Sequence, residues 1–149
     1  KNIPVMITGE GYRIFIEVLI NMYQLNGKSE KLISDNLVEG EQFEKLQILP
    51  HSKAFIQLYE NYSDMELTSS RFSLYPQLIT SLENDIADIE AYNHFEDPEI
   101  ISLKNHSFFV GCGFCPQISS TREIPHPMIY TFIKAAEVSA QERADKKPA

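Results

Sequence analysis

The feature that most constrains the fold is residues 12–25, YRIFIEVLINMYQL, a stretch that is apolar around most of a helix. Its main apolar stripe, at helical spacing, consists of Ile14, Phe15, Val18, Leu19 and Met22. A helix with so little polar surface is typical of the centre of a core. The stretch therefore predicts a central helix, and Asn26-Gly27 supplies a left-handed stop.

Further helices are predicted by capping and proline signals. A short one runs from Ser29 to Leu37, one is capped by Ser52, one begins near Pro76 with a stripe from Leu78 to Ile89, and the last begins near Pro127. The runs EIISL and SFFVGCGF are β-rich, and the Lys104-Asn105-His106 turn between them predicts a small hairpin.

These patterns predict an α+β fold, a helix-dominated single domain of about five helices with a small antiparallel β-hairpin in the C-terminal third. The globular domain is expected to span residues 1–142, followed by a flexible C-terminal tail over residues 143–149.

Charge limits the partners. The chain has 149 residues, a formal net charge of −8 and two cysteines, and it contains no apolar run long enough to span a membrane. Nucleic acids and anionic membranes attract basic surfaces, so we expect neither as a partner. We expect instead a basic protein partner and a cytoplasmic location.

The two cysteines lie close together in the segment FFVGCGFCPQ, as Cys112-Gly-Phe-Cys115. A Cys-x-x-Cys pair at the start of a helix can lower a thiol pKa and create a nucleophile. The segment resembles locally the active-site motif of thioredoxin-like proteins. Only 34 residues follow Cys115, too few for the rest of that fold, and Pro116 interrupts a helix that would carry both thiols.

The same cysteines allow other interpretations. Cys112 and Cys115 with His106 and His126 would supply two thiolates and two imidazoles for zinc, although their spacing matches no standard finger. A cysteine nucleophile with a neighbouring histidine is a third possibility. The interpretation we favour is structural: Gly111 and Gly113 shape a turn or bulge, and the cysteines fill small apolar sites.

Acidic residues are concentrated between Arg71 and Lys104, a segment without any basic residue. Several of the acids would share the outer side of the predicted helix from Pro76, and aromatic residues follow them. A field of one sign accelerates association with an oppositely charged partner. The predicted partner-binding residues are Glu83, Asp85, Asp88, Glu90, Tyr92, Phe95, Glu96 and Asp97.

The chain contains no phosphate-binding glycine loop, no G-x-S-x-G and no H-E-x-x-H motif, and the Gly-x-Gly of ITGEGYR is only weak evidence for a nucleotide loop. We therefore predict no catalytic residue and no cofactor. The hypothesis is a non-enzymatic acidic protein-binding module, an inhibitor of the immunity-protein type that neutralises a basic toxin such as a nuclease. The alternative is a thiol-redox or zinc-binding protein that uses Cys112 and Cys115.

Overall fold

The protein is built around a mixed six-stranded β-sheet. The computed structural model describes residues 2–27, 32–36, 43–69 and 71–148. The strands are β1 (Val5–Thr8), β2 (Ile33–Asn36), β3 (Glu44–Pro50), β4 (Met65–Thr68), β5 (Arg71–Leu74), β6 (Ala87–Asn93), β7 (Pro98–Leu103) and β8 (Phe109–Cys112). The helices are α1 (Glu10–Met22), α2 (Lys53–Leu58), α3 (Pro76–Asp85), α4 (Pro116–Ser119) and α5 (Pro127–Asp145).

The large sheet has the order β1-β8-β7-β6-β3-β4, and β2 and β5 form a separate antiparallel pair. β1 runs parallel to β8, with Thr8 beside Cys112, whereas the other described pairings are antiparallel. The carboxyl ends of β1 and β8 therefore meet at one edge of the sheet. This parallel pair joins residues about a hundred positions apart, which makes it the least local contact of the sheet.

Two hydrophobic cores cover the two faces of the sheet. α1 and α3 pack against one face, where Tyr12, Ile16, Leu78 and Leu82 are buried beside Ile101. α2 and α5 lie on the other face, over a second core. The second core is formed by Leu46, Ile48, Tyr59, Ala91, Ile100, Val110, Cys112, Phe114 and Met128. A sheet with helices on both faces is an α/β layered arrangement.

The prediction of a helix-dominated fold with a small hairpin was wrong. β7 and β8 do pair as the antiparallel hairpin that the sequence indicates, but they belong to the six-stranded sheet. The helix from Pro76 ends at Asp85, and Ala87–Asn93 form a strand that alternates buried and less buried residues. The helical stripe predicted as far as Ile89 therefore crosses a helix–strand boundary.

Other local predictions can be compared with the described residues. The N-cap at Ser52 is confirmed, because its side chain accepts the backbone N–H of Phe55. Ser29, the predicted start of a short helix, lies outside the described residues, and Ile33–Asn36 in that segment form a strand. α5 continues through residue 145, three residues into the predicted tail. Nowhere in the described ranges is a helix both long and apolar enough to cross a membrane.

Candidate functional site

A sharp turn connects β1 to α1 at the carboxyl edge of the parallel strands. Gly9 stands at this turn with φ of 60° and ψ of −133°, a backbone conformation that favours glycine. Its N–H donates to the carbonyl of Phe114 at 3.0 Å, and its carbonyl accepts the N–H of Tyr12 at 3.0 Å. A strand, a turn residue at positive φ and a helix in immediate succession form a nucleophile-elbow geometry.

The segment after β8 faces this elbow. A Cβ atom placed on Gly9 would lie 3.2 Å from Sγ of Cys115, so a side chain at position 9 would point at that thiol. The Cys115 N–H donates to the carbonyl of Leu67 at 2.8 Å, and the hydroxyl of Thr68 donates to the carbonyl of Gly113 at 2.9 Å. We call Gly9, Thr68, Ser69, Gly113 and Cys115 the elbow site.

The thiol of Cys115 lies in a poorly hydrated position. Cys115 is 8% exposed, and this desolvation raises the pKa of its thiol. Hydrogen bonds with Ser69 act in the opposite direction. Burial raises the pKa of Cys112 well above its ordinary value, and nearby Glu99 acts in the same direction. Both thiols are free, with no disulfide between them. Neither has the lowered pKa that a redox-active or nucleophilic cysteine requires.

A buried carboxyl group lies beneath the elbow site. Glu99 is almost completely buried, and this burial raises its pKa to about 8 although Asn93 donates to its Oε2 at 3.0 Å. A Cβ atom placed on Gly113 would lie 2.6 Å from Oε1 of Glu99 and 3.2 Å from the ring of Tyr12. The close approach of the backbone to Glu99 therefore requires glycine at position 113.

This contact gives a prediction for stability. Gly113→Ala is expected to lower the free energy of unfolding by about 1–3 kcal/mol, because Glu99 is buried and held by Asn93 and so cannot move aside freely. Gly27→Ala is the matched control, since a Cβ there meets no atom of the described residues within 4 Å. Urea unfolding of the two variants measures the difference, and equal midpoints would contradict the prediction.

A second buried network lies beside the elbow site, on the face of β4 that also carries the side chain of Thr68. Nε2 of His126 lies 2.6 Å from Oε1 of Glu66, and the hydroxyl of Tyr59 donates to the same oxygen at 3.0 Å. Nδ1 of His126 accepts the N–H of Met128 at 3.1 Å and caps α5. Since Nδ1 is an acceptor, the proton of a neutral imidazole is on Nε2 and points to Glu66. Leu67 and Thr68, which hold the elbow site, directly follow Glu66.

The predicted zinc ligands do not come together. His106 precedes β8 and Cys112 ends it, which separates them by roughly 3.3 Å per residue of strand. His126 is committed to Glu66 and Met128. Within the described ranges, no group of three or more histidine, cysteine, aspartate or glutamate side chains is arranged to hold a metal ion.

The predicted acidic helix face is not formed, because the acids belong to different elements. Glu83 and Asp85 lie on α3, whereas Asp88 and Glu90 lie on β6 and alternate with core residues there. Asp88 pairs with Lys104 across the β6–β7 ladder. The hydroxyl of Ser102 donates to Glu90 at 2.5 Å.

The remaining predicted binding residues surround the turn between β6 and β7. Tyr92 is half-buried and makes an edge contact with His51, and Glu96 is exposed at positive φ. Asp97 is buried, and this burial raises its pKa against the opposing effect of Ser73 and Arg71. The guanidinium of Arg71 stacks on the exposed ring of Phe95 at 3.7 Å. A binding role for any of these residues stays a prediction.

Gly9 is not among the residues predicted from the sequence. The readable signal was TGEGY, in which the first glycine follows an apolar strand and the second lies one residue inside a helix. This Gly-x-Gly was weak evidence in the sequence, because no long β-run precedes it and no third glycine follows it. The partner of Gly9, Cys115, was among the residues considered, but in combination with Cys112 rather than with the elbow.

The geometry defines an α/β protein with an elbow at the carboxyl edge of its parallel strands. Comparison with solved structures shows which α/β fold this is. The chain superimposes on the glutaminase domain of Trypanosoma brucei CTPS with bound acivicin, with a TM-score of 0.69, 19% identity, and coverage of 99% of this chain and 62% of that one. A Thermoplasma acidophilum protein assigned as one subunit of a GMP synthase gives a TM-score of 0.59, with 10% identity over 97% of this chain and 62% of that one. The chain therefore has the Rossmann-like fold of glutaminase domains.

Sequence comparison points in the same direction. A CTP synthase from Helicobacter pylori is 31% identical over 90 residues, which is 60% of this chain and 16% of that protein. A CTP synthase from Pelagibacter ubique is 52% identical over 40 residues, 27% of this chain and 7% of that protein. The chain thus corresponds to a small part of these relatives. No model of a known protein family matches it.

These findings overturn the functional hypothesis drawn from the sequence. An acidic inhibitor of the immunity or toxin–antitoxin type is wrong, because the chain has the fold of a glutaminase domain and its sequence relatives are CTP synthases. The alternative of a thiol-redox or zinc protein fails on the same findings and on the raised thiol pKa values of Cys112 and Cys115.

Proposed function

We propose that this chain belongs to a glutaminase-type domain, of the kind that CTP synthase carries, and that its elbow site binds a carboxamide such as the side chain of glutamine. The observation that carries the proposal is the elbow itself, where Gly9 stands at positive φ at the carboxyl edge and faces the segment after β8. Ligands of open α/β sheets bind outside the carboxyl ends of the strands. The structural similarity to the glutaminase domain of a CTPS supports the choice of glutamine.

The residues at the elbow indicate binding without covalent hydrolysis. In enzymes with a nucleophile elbow, the turn residue carries the attacking atom. Here that residue is Gly9, which has no side chain. The facing thiol of Cys115 has a raised pKa, so it is present as the weakly nucleophilic neutral form. The N–H groups at a helix start point toward its N-terminus, so those of Glu10 and Gly11 in α1 would donate to a carbonyl oxygen bound at this edge.

The experiment that tests the proposal measures glutamine binding and glutamate release by the same protein. We expect saturable binding of L-glutamine by calorimetry and no release of glutamate above the buffer rate. Gly9→Val is expected to abolish binding, because its side chain would fill the space in front of Cys115. The control Gly27→Ala changes an open position and is expected to bind like wild type.

Two outcomes would contradict this proposal. If the folded protein does not bind glutamine at concentrations up to about 10 mM, glutamine is not its ligand. That limit corresponds to a binding free energy weaker than about 3 kcal/mol. Glutamate release by wild type that Cys115→Ser abolishes would refute the non-hydrolytic part, and would identify the thiol as a nucleophile.

The sequence also predicts a cellular location and a partner for this protein. A cytoplasmic location is supported by the free thiols of Cys112 and Cys115, since free thiols persist in reducing compartments. The basic protein partner expected from the net charge of −8 also stays a prediction.

A further inference from the structure

A cavity of about 440 Å³ lies at the edge of the large sheet opposite the elbow site. It is bordered by the start of β6, the end of β7 and the start of β8, and it is flanked by α2 and α5. The elbow site lies at the carboxyl end of β8, next to Cys112, and the cavity lies at its start. The length of β8 therefore separates the cavity from the elbow site. We call this cavity the α2–α5 cleft.

The wall of the α2–α5 cleft is apolar and partly aromatic. Its apolar lining residues include Phe55 and Leu58 of α2, Phe108, Val110 of β8 and Met128 of α5. Phe55, Leu58 and Phe108 are only partly buried, although they pack against the second core. A concave apolar wall of this size matches the usual dimensions of small-molecule sites.

The polar rim of the cleft carries a net negative charge. Asp88 and Lys104 neutralise each other in an ion pair. Glu90 accepts the neutral hydroxyl of Ser102 at 2.5 Å, and in the described part of the chain it forms no ion pair. Since the whole chain has a charge of −8, the field of the protein adds to that of Glu90.

We infer that the α2–α5 cleft binds a small organic cation, an amine joined to an aromatic or aliphatic body. The ammonium would donate to the carboxylate of Glu90, and such charge-assisted hydrogen bonds are stronger than neutral ones. The body would cover the exposed faces of Phe55 and Phe108, which removes apolar surface from water. This inference is independent of the proposed function, because it concerns the other edge of the sheet.

Tryptamine is a suitable probe, because the protein contains no tryptophan and the indole emission comes from the ligand alone. We expect saturable binding in a fluorescence titration, with a Kd at or below about 1 mM for a ligand of this size. Indole-3-propionate has the same ring and a negative head group. It is expected to bind at least about tenfold more weakly, since it would meet Glu90 with a like charge.

Two variants locate the site. Glu90→Gln is expected to weaken tryptamine binding about fivefold to tenfold, the usual effect of one partly buried charge pair. Ala54→Phe is expected to abolish binding, because Ala54 is an exposed residue at the rim and a ring there would occupy the cleft without disturbing the core. Glu60→Gln and Val18→Asp change exposed residues outside the cleft and are the matched controls.

The inference would be overturned by any of four results obtained with folded protein. Tryptamine that does not saturate up to about 10 mM would exclude the ligand class. Equal affinity for indole-3-propionate would show that charge is not recognised. Wild-type affinity in Ala54→Phe would show that the probe binds elsewhere, and loss of binding in Val18→Asp would place it on α1.

Discussion

Replacing His126 by alanine is expected to lower the free energy of unfolding by about 3–5 kcal/mol, a large share of the stability of a domain of this size. His126 and Glu66 are 0% and 1% exposed, and their side chains bond to each other at 2.6 Å. Without the imidazole, Glu66 keeps one side-chain donor among the described residues, the hydroxyl of Tyr59, and within those residues its Oε2 already has no partner. The substitution also removes the side-chain cap of α5, which costs about 1 kcal/mol.

Chemical denaturation of three variants tests this prediction. His51→Ala is the matched control, since His51 is exposed, and its effect is expected to stay within about 0.5 kcal/mol. The double variant Glu66→Met, His126→Leu is expected to be more stable than His126→Ala, because it removes both polar partners and refills the space. A cost for His126→Ala equal to that of His51→Ala would contradict a role of the network in stability.

The same network relates stability to the proposed site. Glu66 lies on β4, and the next residues of that strand, Leu67 and Thr68, hold Cys115 and Gly113 by backbone and side-chain hydrogen bonds. Loosening of Glu66 is therefore transmitted to the elbow over one or two residues. A His126 variant that still folds should bind glutamine more weakly, whereas His51→Ala should not.

Local signals were readable from the sequence because their causes are local. Ser52 caps α2 and Pro127 begins α5, as the capping and proline rules predict. The end of α3 was not readable from the stripe, since Leu82, Ile86 and Ile89 keep helical spacing across the boundary. Alternation from Ala87 to Asn93 was the competing signal, and in the structure it decides the element.

The site could not be predicted because it depends on long-range pairing. The register of β1 with β8 brings Gly9 to Cys115 across more than a hundred residues, and no local pattern specifies it. The charge run was misread for the same reason. Lys104 lies outside the acidic segment in sequence, yet antiparallel pairing of β6 with β7 places it beside Asp88. The Cys-x-x-Cys spacing, in contrast, suggested a reactive thiol. Burial raises the pKa of both thiols in the structure, which argues against that reactivity.

The stability of the protein is expected to fall as the pH rises from about 5 to about 8, and Glu99 is the main cause. Burial raises the pKa of Glu99 from 4.5 to about 8 in the folded state. Between these values the folded protein keeps the proton and the unfolded chain releases it. The unfolded state therefore binds fewer protons, and the free energy of unfolding decreases with pH, by about 3–5 kcal/mol over the whole interval.

Urea unfolding at several pH values measures this decline, and Glu99→Gln isolates its source. The glutamine is isosteric, can still accept from Asn93 and does not ionise, so the variant is expected to show a much flatter profile. Asp97, whose pKa burial also raises, accounts for a remaining slope of the same sign. Glu60→Gln, at an exposed position, should keep the wild-type slope. If Glu99→Gln keeps the wild-type slope, the carboxyl group of Glu99 is ionised at neutral pH. The elbow site would then lie above a fixed negative charge, which disfavours a carboxylate ligand.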